Sequence, residues 1–320
     1  MTQMIGVCIV TYNQQDYIVQ AIESVLEQEP CGHSVIAYIG EDCSTDHTGS
    51  ICDEFAQRYP DRVRVIHNES NLGLVNNTLA LLERMRKDGC DYIAMLDGDD
   101  YWCDSKKLQK QMACFEKYPD CGLVHTAGDT IFPNKIVRDP RSSFQYGNVF
   151  DTIEDCQIGN CTVVFKTDLL DMINFDEFRN QGFKSLDYVM YACFASKTNF
   201  VFLPDHTAIW RRGHESVSNS NAMEKQIAYL NNDIAVWRYL AKRFPSRWTF
   251  DQNDVNNYLH TRSFCLAFKY GDRKRALEEA DGITQFDTHL RIKMFIANSR
   301  VLFSLRKFFK THLTRNQYTK

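Results

Sequence analysis

The stretch Tyr92-Ile-Ala-Met-Leu-Asp-Gly-Asp-Asp-Tyr-Trp102 constrains this chain more than any other. Tyr92 to Leu96 form an apolar run without alternation, the mark of a strand buried on both faces. The run ends at once in Asp97, Asp99 and Asp100, grouped around Gly98. A buried strand with an acidic exit puts carboxylates at the carboxyl end of a sheet, where open α/β sheets bind ligands. Carboxylates so close repel one another unless a positive charge joins them, and a hard divalent cation with oxygen ligands meets that need. Aspartates also cap helices, and Asp and Gly favour turns. The buried strand before this loop and the aromatic pair Tyr101-Trp102 after it set it apart from a surface turn.

The first hundred residues repeat one theme. Ile5–Val10, Ser34–Gly40, Val63–His67 and Tyr92–Leu96 read as strands. Between them lie a helix from about Tyr17 to Gln28, one on Ile51, Phe55 and Tyr59 that stops at Pro60, and one on Val75, Leu79 and Leu82. This β-α-β-α-β-α-β pattern predicts an α/β fold, a Rossmann-like, mostly parallel sheet flanked by helices, with right-handed crossovers. Each polar break follows a strand: Thr11-Tyr12-Asn13, Glu41-Asp42-Cys43-Ser44-Thr45-Asp46, and Asn71-Leu72-Gly73. Alone, these breaks are also ordinary cap and turn sequences.

Beyond Trp102 the pattern predicts a helix at Lys106–Tyr118, a strand at Gly122–Ala127 and an extended piece at Asn160–Lys166. Residues 130–155 read as a loop over the crevice. A helix follows at Leu186–Ala195, with Asp187 in its first turn, where the helix dipole favours an acid. Phe200–Leu203 and Thr207–Trp210 read as two strands antiparallel to what precedes. The character changes near residue 220, so a domain at 1–220 and a helical region at 221–320 are expected.

Composition narrows the class. A net charge of −4 disfavours nucleic acid as main partner, since phosphate neutralisation needs a basic surface. The twelve cysteines include no C-x-x-C pair, which argues against a zinc cluster and for reduced core residues in a reducing, cytoplasmic setting. The start of the chain lacks a basic n-region, and no apolar run is long enough to span a membrane. No P-loop or G-x-G-x-x-G motif is present. From His289 to Lys320 there are eight Lys or Arg and no acid. Interleaved with Phe and Leu, they predict a basic amphipathic helix suited to an anionic membrane surface.

In order and spacing the motifs resemble the inverting GT-A glycosyltransferases of family 2, over roughly residues 4–218. Val10-Thr-Tyr-Asn13 looks like that family's opening, Glu41–Thr48 its acidic second-strand motif and Asn71-Leu-Gly73 its next loop. Leu96-Asp-Gly-Asp-Asp-Tyr-Trp102 looks like its D-x-D region. Asn160–Lys166 resembles the acceptor-side strand, Ser185-Leu-Asp187 the segment with the catalytic base, and Trp210–Ser218 the closing Tyr-Arg-x-x-His pattern. The resemblance implies metal-dependent transfer of a sugar from a nucleotide-diphosphate donor, UDP favoured, to a glycan or lipid-linked glycan. It implies that Thr11, Tyr12, Asn13, Glu41, Asp42, Asn71, Asp97, Gly98 and Arg211 line the donor. Asp99, with Asp97 and His214, would hold Mn2+ or Mg2+, and Asp187 would be the base. Two departures stand out: Glu41 and Cys43 replace the more usual aspartate and glycine, and Leu186-Asp187 replaces Glu-Asp. A non-catalytic nucleotide-sugar or glycan-binding module and a sugar nucleotidyltransferase are the competing readings.

Overall fold

In the computed structural model the described residues are 2–155, 157–212 and 223–304. They belong to two compact units, Met1–His214 and Glu215–Lys320.

The first unit begins as the sequence predicts: β1 Met4–Thr11, α1 Ile18–Leu26, β2 Ser34–Glu41, α2 Thr48–Arg58, β3 Val63–His67, α3 Leu74–Lys87 and β4 Tyr92–Asp97. β1 pairs in parallel with β2 and with β4, and β2 with β3. It is buried from Ile5 to Thr11, as a central strand covered on both faces must be. Each buried Ile or Val there contributes about 1.5–3 kcal/mol relative to exposure. α1 packs Ile18, Ala21, Ile22 and Val25 into the same core, at the i, i+3, i+4, i+7 spacing of an amphipathic helix.

The chain continues through β5 Tyr101–Trp102, α4 Lys107–Lys117, β6 Cys121–Phe132, β7 Lys135–Val137 and β8 Gln145–Gly147. Then come β9 Val164–Lys166, α5 Phe175–Asn180, α6 Asp187–Ala195 and β10 Asn199–Arg211. The sheet order is β3-β2-β1-β4-β9-β6-β10-β5, with β7 on β6 and β8 on β10. β9 runs antiparallel to both β4 and β6, and β10 runs parallel to β6. Six strands, β1 to β4 with β6 and β10, therefore point the same way and end along one edge.

Three expectations change. The predicted strands at 200–203 and 207–210 are one strand, β10, and it is parallel to β6 rather than antiparallel. Register shifts between Leu203 and Ala208 place bulges in the strand at the Pro204-Asp205-His206 interruption. Residues 130–155 do not simply cover the crevice. β8 pairs with Phe200–Phe202 at the amino end of β10, the opposite end of the sheet from Asp97. The extended piece at 160–166 opens as a 3-10 turn, Asn160–Thr162, and only Val164–Lys166 is strand.

The second unit is helical over its described length: α7 Met223–Arg243, α8 Gln252–Tyr270, α9 Arg273–Ala280 and α10 Thr288–Asn298. Asp251, Asp272 and Asp287 cap α8, α9 and α10 by accepting from N-terminal N–H groups. Phe264, Phe268, Ala276, Leu290 and Phe303 form its core. Among the described residues no helix is long and apolar enough to cross a membrane.

Candidate active site

The exits of the three central strands are level. Thr11 pairs with Glu41, and Val10 pairs with Asp97. The Gly98 N–H donates to the Val10 carbonyl at 3.0 Å. A methyl group on Gly98 would sit 2.5 Å from Gln14 Oε1 and 2.9 Å from Thr11 Cβ. Only glycine lets the two loops come this close. Tyr12, 44% exposed, offers a free ring at the rim. Asn13 adopts a left-handed φ of 52°. Its N–H donates to Ser44 Oγ and its Oδ1 accepts from the Thr45 N–H, which ties the exit of β1 to the loop after β2.

Glu41 and Asp42 are buried and committed to the scaffold. Glu41 Oε1 accepts from the Ser44 N–H at 2.7 Å, and Oε2 lies 3.3 Å from His67 Nδ1. Asp42 Oδ1 accepts from Asn68 Nδ2 and from the Leu72 N–H, each at 2.8 Å, and Oδ2 accepts from the Gly73 N–H at 2.9 Å. Asp42 thus shapes the 68–73 loop and keeps about one of its roughly four acceptor positions open. Cys43, exposed between strand and helix, has a left-handed φ of 60°. That backbone explains why glycine suits this position. Asn71 is exposed, and the positive φ of its loop falls on Gly73 at 80°.

The acids of the β4 exit do not stand alone. Asp97 Oδ1 accepts from Asn160 Nδ2 at 3.2 Å, and Asn160 Oδ1 accepts from the Tyr191 hydroxyl at 2.8 Å. Tyr191 sits on α6, one turn beyond Asp187, so the fold brings Asp187 to the acids of the β4 exit from far along the chain. Burial first, then the charges of Asp187 and Asp99, push the Asp97 carboxyl up to about 8. Burial also raises Asp187. Burial, then Asp97 and Asp99, raise Asp100, whose Oδ1 accepts from the Arg211 N–H at 2.9 Å. Arg211 closes the loop as a clasp. Its Nη1 donates to the Asp99 carbonyl at 2.6 Å, its Nη2 bonds Gln20 Oε1, and its guanidinium lies 4.4 Å from the Tyr101 ring centroid. His214 lies outside the described residues.

A buried polar layer supports this loop from behind. Trp102 Nε1 donates to the Cys161 carbonyl at 2.9 Å. Lys107, fully buried, holds its Nζ 2.6 Å from Gln111 Oε1 and 4.4 Å from the Trp102 ring centroid. Gln111 Nε2 donates to the carbonyls of Val124 and Thr162 at 3.0 and 2.9 Å. Burial pulls the Lys107 ammonium down to about 7. Tyr191, Lys107 and Gln111 are side chains that motif reading left out, and Asn160 entered it only as the start of an extended segment. The i, i+4 spacing of Lys107 and Gln111 was visible, but a lysine at a helix start reads as solvated. A groove of about 430 Å³, lined by Gln20, Glu23, Glu27, Gln28, Tyr101 and Ser105, runs beside this region. Neither Asp97, Asp99 nor Asp187 lines it, so it is separate from the site of the acid loop.

Among the described residues no three His, Cys, Asp or Glu side chains form a ready metal cage. What is present is a pair of hard oxygen donors, Asp97 and Asp99, beside Asp100, and burial with the neighbouring acids raises Asp97 and Asp100. That set fits a divalent cation that arrives with a diphosphate, because Mg2+-like ions take one or two carboxylates and complete their shell with phosphate and water.

Residues 6–171 match the family described as Glycosyl transferase family 2. The chain belongs to that family. Among its relatives, the dTDP-rhamnosyl transferase RfbG of Shigella flexneri is 27% identical over 290 residues, 83% of this chain and 94% of that protein. An uncharacterized Mycobacterium tuberculosis protein is 36% identical over 111 residues, so the chain's match spans 31% of that relative's length and 35% of its own. S. aureus TarS 1–349, solved with UDP, superposes with a TM-score of 0.56 at 14% identity, over 93% of this chain and 79% of that one. The mannosyltransferase PcManGT of Pyrobaculum calidifontis, solved with GDP-Man and Mn2+, also gives 0.56, at 15% identity over 97% and 88%. The fold of this family 2 chain is GT-A.

Proposed function

We propose that this chain transfers a sugar from a nucleotide-diphosphate donor, UDP-linked in the first instance, to a hydroxyl of a glycan or lipid-linked glycan, with inversion. The reading places it in cell-surface polysaccharide synthesis. One observation carries it: Asp97 is joined through Asn160 to Tyr191 of α6, one turn beyond Asp187, although the two segments are remote in sequence. A donor half and an acceptor half thus meet at one edge of the sheet.

Roles follow from geometry. The exposed Tyr12 ring gives the base a stacking face, and the open acceptor position of Asp42 can take a base N–H. Thr11, Asn13, Glu41 and Asn71 shape the loops around the nucleotide, and Gly98 lets backbone and donor approach. Arg211 fixes the acid loop and brings positive charge beside it. A divalent cation held by Asp97 and Asp99 would supply Lewis acidity toward the departing nucleoside diphosphate. Asp187, raised by burial, is suited to take the proton from the acceptor hydroxyl. Attack from the face opposite the leaving group inverts the anomeric centre.

The test is a panel of UDP-, GDP- and dTDP-sugars with nucleotide release as readout, with and without Mn2+. Cation-dependent release from one donor supports the reading, and so does its loss in Asp99→Ala of unchanged melting temperature. Binding of a donor without release would favour the non-catalytic module; retained anomeric configuration in the product would remove inversion. A peripheral place on the inner membrane face is part of the same proposal. Its support is the acid-free basic segment 289–320, together with Ile292 and Phe295 of α10, which are 53% and 70% exposed. Sedimentation with anionic liposomes, unchanged on deleting 289–320, would exclude it.

A further inference from the structure

Asn160 belongs to neither the acid loop nor α6, yet its side chain joins the two. We propose that Asn160 is a positioning residue that sets the Asp97 carboxylate against α6 and its Asp187; the inference rests on the transferase reading above. A primary amide has a donor end and an acceptor end. Nδ2 meets a carboxylate at 3.2 Å, and Oδ1 meets the Tyr191 phenol at 2.8 Å. No other side chain of this size serves both partners. Aspartate would turn a second acceptor toward Asp97. Leucine would leave the Tyr191 hydroxyl, on a ring only 1% exposed, without this acceptor.

The amide is mounted rigidly. It opens the 3-10 turn Asn160–Thr162. From behind, Trp102 Nε1 binds the carbonyl of Cys161, and Gln111 Nε2 binds the carbonyl of Thr162. The Thr162 N–H and Oγ1 both donate to the Gly159 carbonyl, at 3.0 and 2.6 Å. One end of the bridge is therefore anchored in the sheet. The other reaches Tyr191, four residues after Asp187 and on the same face of α6. The bridge sets the gap between the group that aims the donor and the group that receives the acceptor proton. Gap errors near 1 Å cost about 100-fold in such reactions.

The experiment is a double-mutant cycle on the full-length enzyme. Asn160→Asp, Tyr191→Phe and the double variant are assayed for nucleotide release against donor and acceptor concentration, with melting temperature recorded. Each single variant is expected to lower kcat by about 10- to 100-fold. Tyr191→Phe should leave the donor KM within about threefold, and the double variant should be no slower than Asn160→Asp, the sign of one shared bridge. A merely structural role would move melting temperature and expression rather than kcat of the folded enzyme. Wild-type turnover with both single variants within twofold of it, or with strictly multiplicative losses in the double variant, overturns the inference alone. A wild type that releases nucleotide from no donor overturns the transferase reading and this inference with it.

Discussion

Lys107 gives the sharpest physical test of the fold beneath the site. Its side chain is fully buried, with Gln111 Oε1 as hydrogen-bond acceptor and the Trp102 face beside it. Burial brings its folded-state pKa to about 7, against about 10.4 in an unfolded chain. Between those values the unfolded state binds a proton that the folded state has released, so this lysine's contribution makes stability rise with pH. From pH 7 to pH 8.5 the unfolded lysine stays protonated while the folded one loses most of its half-occupied proton. The difference integrates to about 1.5 kcal/mol at 1.36 kcal/mol per pH unit. Above pH 8.5, buried thiols such as Cys52 and Cys121, raised to about 12, work in the opposite direction, so the window stops there. Lys107→Met keeps the length of the side chain and removes the titration. It also strips Gln111 Oε1 of its partner, a loss of about 1–3 kcal/mol that does not depend on pH. The assay is urea unfolding at four pH values, read by Trp102 fluorescence in a background with Trp210, Trp237 and Trp248 changed to Phe. The stability gap between wild type and Lys107→Met should change by about 1.5 kcal/mol across the window, in favour of wild type at the higher pH. Parallel curves, within about 0.5 kcal/mol, would show that the lysine stays charged in the fold and would refute the reasoning.

Other consequences are simpler to read. Asp187→Asn should cut transfer by at least about 100-fold while donor affinity survives, since the amide cannot accept the hydroxyl proton; donor binding by calorimetry beside a turnover assay checks both halves. Cys43→Gly should be neutral or stabilising by up to about 1 kcal/mol, because the residue holds a left-handed φ, whereas Cys43→Val should destabilise by about 1–2 kcal/mol; thermal melts separate them. Gly98→Ala drives a methyl against Thr11 Cβ, fixed on β1, and should cost about 1–3 kcal/mol or displace the acid loop. A melting curve and the donor KM report which.

The loops after β1, β2 and β4 were legible because their signals are local. β1, β2 and β4 are apolar runs that turn polar at their last residue, and parallel pairing forces those ends together. Family motifs pointed to Asp187, but only the fold brings its helix to Asp97, through Asn160 and Tyr191. The Asn160 bridge to Tyr191 was not legible: Asn160 opens a segment that reads as extended, Tyr191 carries no local signature, and their contact depends on α6 packing beside the 160–162 turn. Pro204-Asp205-His206 looked like a strand boundary because a bulge and a break have the same composition. β7 and β8 were missed because exposed three-residue strands show no hydrophobic period. Lys107 defeats polarity rules outright: a charged residue at a helix start is ordinarily solvated, and only the packing around Trp102 shows otherwise.

The reversed direction of β9 has a consequence for how such enzymes diversify. At the crevice, β1, β2, β4, β6 and β10 present the residues by which the chain leaves the strand, but β9 presents the residues by which it arrives. The chain that arrives at Asn160 comes from β8 at the far end of the sheet, so it can change length without passing through the exits of β1, β2 and β4. On the proposed function, variation in length there would alter the acceptor side while the loops after β1, β2 and β4 stayed intact, so insertions in relatives should concentrate between β8 and Asn160 and be scarce between β4 and β5.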